Sequence, residues 1–264
     1  MLYFVATPIG NLKDISFRAI EVLKSVDVVA CEDTRTSLKL LNYYDIKKPL
    51  ISYHKFNEKN SSDGIIKLLR EGKNVAVISD SGMPVISDPG EILSQKLCEE
   101  NLEFTIIPGA NAGLSALVLS GFDAKNFAFL GFLPENNKEK AKKLENIKNF
   151  SGSLVFYVSP HNLFKDIKFL AENLGNRRAC LVSEITKMFE KKFFFNLQIP
   201  PEIEVKGEYV LIVSGVYEQK ENDLNLLTVQ EHIDYYLAQG FSKNEAIKKV
   251  GKDRKIKNPY KNLI

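Results

Sequence analysis

Residues that could bind a ligand or move a proton follow several apolar segments of this chain. The first segment is Val75–Ile78, an unbroken apolar run that is typical of a strand buried on both faces of a parallel sheet. Turn-forming and polar residues fill positions 79–90, where Gly82 permits close approach of a ligand and Asp88 and Pro89 predict a helix N-cap followed by proline. Ligands bind outside the carboxyl ends of such strands. This loop is therefore a candidate binding site, and an ordinary connecting loop is the alternative.

Two further loops carry groups suited to acid–base chemistry or to phosphate binding. A predicted strand at residues 28–31 ends on the sequence Glu-Asp-Thr-Arg-Thr at residues 32–36, and a predicted strand at residues 179–182 runs into Glu184 and Lys187. Carboxylates are common general bases, and arginine and lysine bind phosphate. For the loop at residues 32–36 the alternative is a helix cap with an exposed salt bridge, which these residue types form equally well.

Two more predicted strands end where a helix begins. The strand at residues 104–107 precedes Asn111, a good N-cap for the apolar helix that follows. The strand at residues 154–158 ends shortly before His161. That histidine either acts on a substrate or caps the next helix.

Composition bounds the class of protein. The chain has 264 residues, of which 44% are hydrophobic and 26% charged, values that are ordinary for a globular protein. The three cysteines are far apart and form no Cys-x-x-Cys, so neither a disulfide framework nor a metal site is predicted. The loop after the first predicted strand contains neither the Gly-x-Gly-x-x-Gly fingerprint of dinucleotide-binding proteins nor the phosphate-binding P-loop motif. No signal segment and no apolar run of about 18 residues occurs, so we expect a cytoplasmic protein without membrane contact.

The order of elements predicts three parts. Strands and helices alternate over about the first 120 residues, which is typical of a doubly wound α/β domain. We expect an N-terminal α/β domain at residues 1–121, a C-terminal α/β domain at 122–218 and a basic helical module at 219–264. Residues 54–63 lack periodicity and predict a mobile loop, in which His54 is a surface residue.

The helical module has its own signals. Residues 243–264 carry a net charge of +6, whereas the rest of the chain is at −3. Thr228 with Glu231 and Ser242 with Glu245 form two capping boxes, and a third short helix is expected from Pro259. Three small helices with a basic end resemble a helix-turn-helix module, which indicates a polyanionic partner such as nucleic acid. A packing or oligomerisation role is the alternative.

With these loops in place, the chain resembles the tetrapyrrole methylase superfamily, and within it the enzymes that methylate the ribose 2′-oxygen of a cytidine in 16S rRNA. The resemblance covers essentially the whole chain and depends on eight motifs in the same order. They are the segments at residues 5–12, 32–36, 79–90, 108–112, 131–134, 157–161, 184–187 and 207–208. In the central loop the family usually has Asp-Ala-Gly-Thr-Pro, and this chain has Ser81 and Met83 instead.

The resemblance implies an α/β, two-domain tetrapyrrole-methylase-like fold that holds S-adenosylmethionine in the cleft between the domains, usually as a homodimer. It also implies that the partner is 16S rRNA in the small ribosomal subunit. Carried over to this sequence, the cofactor-binding residues would be Pro8, Asp80, Ser81, Gly82, Asn111, Ala112 and Val158.

The chemistry of methyl transfer then suggests roles for the charged loops. A sulfonium methyl is already activated, so positioning of the ribose oxygen supplies much of the acceleration, and a general base would help because a ribose hydroxyl is a poor nucleophile. The candidate bases are Glu184, Lys187, Asp33 and Glu32.

The same loops suggest how RNA is held. The hypothesis is that the loops at residues 32–35 and 184–187 face each other across the cleft, with Arg35 and Lys187 holding RNA phosphate and His161 contacting substrate. Structural salt bridges are the alternative. Two rival functions remain: a tetrapyrrole methyltransferase of the same fold, and a non-catalytic RNA-binding or assembly protein.

Overall fold

The computed structural model describes residues 1–216, 227–238, 240–254 and 256. It divides into two compact units, Met1–Val216 and Tyr217–Ile264. The first unit contains two five-stranded sheets and the second contains helices.

The first sheet is entirely parallel and has the strand order β3-β2-β4-β1-β5. Its elements in chain order are β1 Leu2–Val5, α1 Phe17–Ser25, β2 Val28–Cys31, α2 Thr34–Tyr43, β3 Leu50–Ser52, α3 Glu58–Arg70, β4 Val75–Ile78, α4 Glu91–Glu99 and β5 Phe104–Ile107. Helices cover both faces. On β4, Val75 and Val77 pack with residues of α3 and α4, whereas Ala76 and Ile78 pack with residues of α1 and α2. The doubly wound α/β prediction is confirmed.

Two local predictions in this half are wrong. Residues 58–63, predicted as a mobile loop, form the first turns of α3. Ser62 is buried there with its hydroxyl 3.5 Å from that of Tyr53, a contact that the polar sequence does not reveal. The N-cap of α4 is Gly90, at φ 141°, and neither Asp88 nor Pro89 takes the predicted position.

The second sheet is mixed and has the order β6-β7-β10-β8-β9, in which β6 and β7 are parallel and the other pairs antiparallel. Its elements are β6 Phe127–Phe132, α6 Asn137–Glu145, β7 Ser153–Val158, α7 Leu163–Leu174, β8 Arg178–Ser183, β9 Lys191–Asn196 and β10 Tyr209–Val213. Residues of α6 and α7 cover one face of this sheet. Asn136 caps α6 by accepting a hydrogen bond from the Lys138 N–H at 2.8 Å.

The other face of the second sheet is covered by α5, Ala112–Ser120, which follows the last strand of the first sheet. Ala116 and Leu117 pack there, and so does Ile9 from the loop after β1. As predicted, Asn111 caps α5 by accepting a hydrogen bond from the Leu114 N–H, and Gly121 ends it in the left-handed region. The carboxyl edge of the first sheet is thereby brought against the second. The predicted domain limits at residues 121 and 218 stay predictions.

The second unit contains α8, Val229–Ala238, and α9, Lys243–Asp253. Both predicted capping boxes are formed, one by Thr228 with Glu231 and the other by Ser242 with Glu245. The helices share a small core of Ile233, Tyr236, Ala246 and Val250. The expected helix from Pro259 lies outside the described residues. Within the described part of the chain, no helix is both long and apolar enough to cross a bilayer.

Substitution of two glycines of the first unit by alanine should have opposite effects on stability. Gly215 has no room for a side chain, since an added Cβ would lie 1.8 Å from the Ser151 carbonyl oxygen, whereas Gly64 lies within α3 with nothing within 4 Å. We expect Gly215→Ala to lower the free energy of unfolding by at least about 2 kcal/mol and Gly64→Ala to raise it by about 0.5–1 kcal/mol. Urea unfolding of both variants checks this, and equal effects of the two substitutions would contradict it.

Candidate active site

A cavity of about 360 Å³ lies where the carboxyl edge of the first sheet meets the second sheet. The first half of the chain lines it with the loop after β4, the start of α5 and Ile9, and the second half with the ends of β6 and β7, the start of β10 and Ile185. Its volume is within the range of small-molecule sites. Most of the lining is apolar, with a few polar groups among it.

Buried hydrogen bonds to Thr7 hold the loop after β4. The Thr7 N–H donates to the Gly82 carbonyl at 2.9 Å, and the Gly82 N–H donates to the Thr7 hydroxyl at 3.1 Å. The Ser79 hydroxyl donates to the same Gly82 carbonyl at 2.9 Å. Gly82 has φ +87°, and an added Cβ would lie 3.1 Å from the Ile9 side chain, so the turn needs glycine. The sequence analysis missed Thr7, whose only signal is a hydroxyl at the end of a buried strand.

The rest of this loop is strained and anchored from a distance. Val85 and Ser87 have φ of 75° and 72°, a region that side-chain-bearing residues seldom adopt. Glu58 on α3 fixes the end of the loop, because its carboxylate accepts hydrogen bonds from the N–H groups of Gly90 at 2.9 Å and Ile92 at 3.1 Å. Glu58 therefore takes the capping role that was predicted for Asp88.

Asp88 instead lines the cavity, and its pKa is raised to about 7 by burial and by the negative charges of Glu32 and Asp80. Burial also raises the pKa of Glu32, and the negative charge of Asp80 raises it further. Burial raises the pKa of Asp80 as well, although the hydrogen bond from the Asp33 N–H opposes this shift. Three carboxylates thus disfavour one another's charge at the carboxyl edge of the first sheet. Among the described residues, no group of His, Cys, Asp and Glu side chains is arranged to hold a metal ion.

The loop after β8 is held by an ion-pair network. Lys187 Nζ lies 3.1 Å from Glu184 Oε1 and 2.8 Å from Glu208 Oε2, and the Glu208 N–H donates to Glu184 at 2.9 Å. The Glu208 N–H lowers the pKa of Glu184, and Lys187 lowers it further. Burial opposes the charge of Lys187, yet its hydrogen bonds to Glu208 and Glu184 raise its pKa overall. Gly207 is required beside this network, since an added Cβ would lie 2.3 Å from Glu184 Oε1.

The loop after β2 contains the predicted helix cap and salt bridge. Asp33 is the N-cap of α2, and its carboxylate pairs with Arg35 at 2.7 Å. The hydrogen bonds from Arg35 lower the pKa of Asp33 to about 2. The Asp33 N–H donates to Asp80 at 3.1 Å, which joins this loop to the one after β4.

These environments separate the candidate bases. Asp33 and Glu184 both have lowered pKa values, and Lys187 has a raised one, so none of the three accepts a proton readily near neutral pH. Glu32, whose pKa is raised, suits that role best among the four residues predicted from the sequence. Asp88 is a further candidate that the sequence analysis did not nominate, because its burial depends on the second sheet.

The structure gathers most of the predicted cofactor-binding residues. Ser81, Gly82, Asn111, Ala112 and Val158 all line the cavity. The remaining two, Pro8 and Asp80, lie next to lining residues in the chain but are not part of the lining.

Some substrate predictions fall outside the cavity. His161 is exposed in a short 3-10 turn after the lining residue Pro160, and the N-cap of α7 is Asn162, so the predicted capping role of the histidine is wrong. The Arg35 side chain is 87% exposed beside Asp33 and does not line the cavity, nor does Lys187. Both ion pairs match the salt-bridge alternative, and phosphate binding by these two residues stays a prediction.

Tyr157 is a second lining residue that the sequence analysis missed. Burial raises the pKa of its hydroxyl, and the backbone of Gly113 at the start of α5 opposes part of that shift. Its ring packs edge-on against Phe129 and Phe132. An aromatic wall therefore closes the cavity from the second sheet.

Comparison with known proteins agrees with this geometry. Residues 1–200 match the sequence profile of the tetrapyrrole (corrin/porphyrin) methylases. The chain belongs to the tetrapyrrole methylase family. Family members use S-adenosylmethionine as methyl donor.

Curated relatives within the family align over most of the chain. The ribosomal RNA small subunit methyltransferase I of Bacillus subtilis is 41% identical over 97% of this chain and 90% of its own length. The protein of the same name from Mycoplasmopsis pulmonis is 46% identical over 80% of this chain and 96% of its own length.

Solved structures share the fold at low identity. Diphthine synthase superposes with a TM-score of 0.66 at 14% identity, covering 81% of this chain and 89% of that one. Uroporphyrin-III-C-methyltransferase from Thermus thermophilus superposes with a TM-score of 0.57 at 19% identity, covering 81% of this chain and 93% of that one. The α/β two-sheet prediction is confirmed by these structures.

The residues present fit S-adenosylmethionine. Apolar side chains such as Ile9, Ile86 and Val210 offer surfaces for the adenosine part. The carboxylates Asp88, Asp80 and Glu32 favour a positively charged ligand, because each has a pKa that is raised in the absence of a cation. Among the described residues, these carboxylates do not form a metal-binding group. A sulfonium or ammonium cation needs no fixed coordination geometry, so such a ligand suits them.

We therefore expect the affinity for S-adenosylmethionine to depend on the charge of Asp88. A bound cation favours the ionised carboxylate, so affinity should rise as the pH passes upward through about 7 and level off above it. Isothermal titration calorimetry at several pH values, with the uncharged thioether S-adenosylhomocysteine as control, measures this.

Asp88→Asn should remove most of the pH dependence and weaken S-adenosylmethionine about tenfold at high pH. It should weaken S-adenosylhomocysteine less, since only the sulfonium charge differs between the two ligands. An equal loss for both ligands would show that Asp88 does not balance the sulfonium.

Proposed function

We propose that this protein transfers a methyl group from S-adenosylmethionine to the ribose 2′-hydroxyl of a cytidine in the 16S rRNA of the small ribosomal subunit. The observation that carries the proposal is sequence identity. The B. subtilis relative, named as an rRNA methyltransferase, is 41% identical over 97% of the chain, which must include most of the helical unit Tyr217–Ile264. Uroporphyrin-III-C-methyltransferase from T. thermophilus shares the fold at only 19% identity.

The bound cofactor supplies a methyl group on a positively charged sulfur, and transfer to the ribose oxygen breaks the carbon–sulfur bond. The protein's part is to place the hydroxyl and take its proton. Glu32, half-buried at the end of β2 with a raised pKa, accepts that proton. Asp88, in the cavity wall, balances the positive charge before transfer.

The ion-paired residues position the RNA and do not exchange protons. Lys187 stays protonated between Glu184 and Glu208, and Arg35 is held against Asp33 with its guanidinium exposed. Both side chains keep a positive charge to offer to RNA phosphate. His161, exposed beside the lining residue Pro160, is a further substrate contact in this proposal.

The described part of the helical unit also supports RNA binding. Lys248 and Lys252 are exposed one turn apart on α9, whereas Ala246 and Val250 of the same helix are buried. Arg254 is used internally, since it donates to His232 Nδ1 at 3.1 Å and to the Thr228 carbonyl at 3.2 Å. The lysines are therefore the cations that this helix presents to a polyanion.

The working form in this proposal is a cytoplasmic homodimer. Leu114 and Val118 are exposed apolar side chains on one face of α5, and Phe104 and Ile106 are exposed on β5, an edge strand of the first sheet. Apolar patches of this kind commonly mark protein interfaces. A second copy of the chain would cover them.

Transfer of labelled methyl from S-adenosylmethionine to small subunits that lack the modification tests the function. We expect label in the RNA and, after alkaline hydrolysis, a labelled dinucleotide, because a 2′-O-methyl blocks cleavage of the adjacent phosphodiester. Glu32→Gln should lower the rate of transfer by a larger factor than it weakens cofactor binding. Cofactor binding without any label in RNA would indicate a small-molecule acceptor.

The basic face of α9 has its own test. We expect the double variant Lys248→Glu, Lys252→Glu to raise the KM for small subunits at least tenfold and to leave the Kd for S-adenosylmethionine unchanged, since each charge reversal repels phosphate. The charge-matched control is the double variant Lys24→Glu, Lys73→Glu. Lys24 lies near the end of α1 and Lys73 just before β4, away from the cavity. Equal KM values for the two double variants would contradict a role for α9.

A further inference from the structure

The loop between β8 and β9 displays two apolar side chains to solvent beside the cavity. Ile185 of this loop lines the cavity, and the next turn carries Met188, which is 90% exposed, and Phe189, which is 70% exposed. Neither side chain belongs to a hydrophobic cluster of the fold. Their exposure costs hydration free energy and gives no packing in return.

This display is fixed by hydrogen bonds. The Lys187 N–H donates to the Glu184 carbonyl at 3.0 Å, the Glu190 N–H to the Lys187 carbonyl at 3.2 Å, and the Thr186 N–H to the Glu190 carboxylate at 2.8 Å. The turn is therefore tied on both sides of Met188 and Phe189.

The backbone of this loop is strained, and the loop after β1 packs closely against it. Glu184 and Thr186 have φ of 52° and 64°. Gly10 of the loop after β1 lies so close that an added Cβ would be 2.7 Å from the Lys187 side chain. Strain of this kind is kept where the surrounding structure imposes it, commonly at functional sites.

Exposed lysines follow the two apolar side chains. Lys191 and Lys192 lie at the start of β9 after Glu190, whereas Lys187, which precedes Met188, is paired with Glu184 and Glu208. Lys191 pairs in register with Ser183, so it lies at the same end of the sheet as the loop. The occupant that matches an exposed aromatic ring among lysines is a nucleic-acid strand, whose bases stack on the ring and whose phosphates meet the lysines.

We propose that Phe189, supported by Met188, stacks on an unpaired base of the RNA next to the nucleotide whose ribose enters the cavity. This inference rests on the proposed function and adds a contact that selects a single-stranded segment. A base stacked there would hold the strand against the cavity mouth, and the ring of Phe189 is sequence-tolerant, because every base offers a π face.

Steady-state methylation of small subunits by Phe189→Ala, Phe189→Trp and Ile199→Ala tests the proposal. Ile199 is a matched control, since it is 71% exposed and follows β9 at the opposite end of that strand. We expect Phe189→Ala to raise the KM for subunits about tenfold, Phe189→Trp to retain the wild-type KM, and Ile199→Ala to have no effect. The Kd for S-adenosylmethionine should be the same in all three variants.

Three results would overturn the stacking role. They are an unchanged KM in Phe189→Ala, a loss in Phe189→Trp equal to that in Phe189→Ala, and a fall in sedimentation coefficient in Phe189→Ala, which would make the ring a contact between copies of this chain. Binding of labelled subunits without cofactor is measured in parallel. If Phe189→Ala loses binding and the other two variants keep it, stacking is supported even when the wild-type protein transfers no methyl. Failure of the proposed function is therefore distinguishable from failure of the stacking proposal.

Discussion

The site depends on the buried hydroxyl of Thr7, which joins the loops at the ends of two neighbouring strands. It accepts the Gly82 N–H at 3.1 Å and lies 3.2 Å from the Ser79 carbonyl, to which it donates. The contact requires β1 to lie beside β4, an arrangement that the order β3-β2-β4-β1-β5 provides. With the turn at Gly82 fixed, Ile9 and the polar residues of the loop after β4 take defined places in the cavity wall. A partly satisfied group here would cost stability, because the site excludes water.

The second sheet completes this arrangement electrostatically. Burial raises the pKa of Asp88, so the cavity wall that the two sheets share contains a carboxylate whose ionisation a bound cation would favour. On the opposite side, Lys187 is neutralised by Glu184 and Glu208 and keeps a defined position. One side of the cleft is therefore suited to a cationic donor, and the loop on the other side is held in place by its ion pairs. Between them lies the mostly apolar lining of the cavity.

Much of the architecture was predictable because its signals are local. The strand Val75–Ile78 and the Asn111 cap were found from short apolar runs and a capping residue. The motifs at residues 79–82 and 111–112 located one part of the cavity wall, namely Ser81, Gly82, Asn111 and Ala112. The misses arise from contacts between distant residues. The Glu58 carboxylate accepts a hydrogen bond from Gly90, 32 residues away, and the buried Ser62 hydroxyl lies 3.5 Å from that of Tyr53. Neither the start of α3 nor that of α4 is therefore evident from the local sequence.

The same distinction separates the candidate bases. Asp33 and Glu32 are adjacent in the chain and identical in chemistry, yet the structure lowers the pKa of one and raises the pKa of the other. The difference arises because Asp33 faces Arg35 and the first turn of α2, whereas Glu32 is half-buried beside Asp80. Residue type predicts which groups can carry a proton, but their order of basicity follows from burial and from partners far away in the chain. Of the two, Glu32 is therefore the better candidate to accept a proton, and Asp33 holds Arg35 in place.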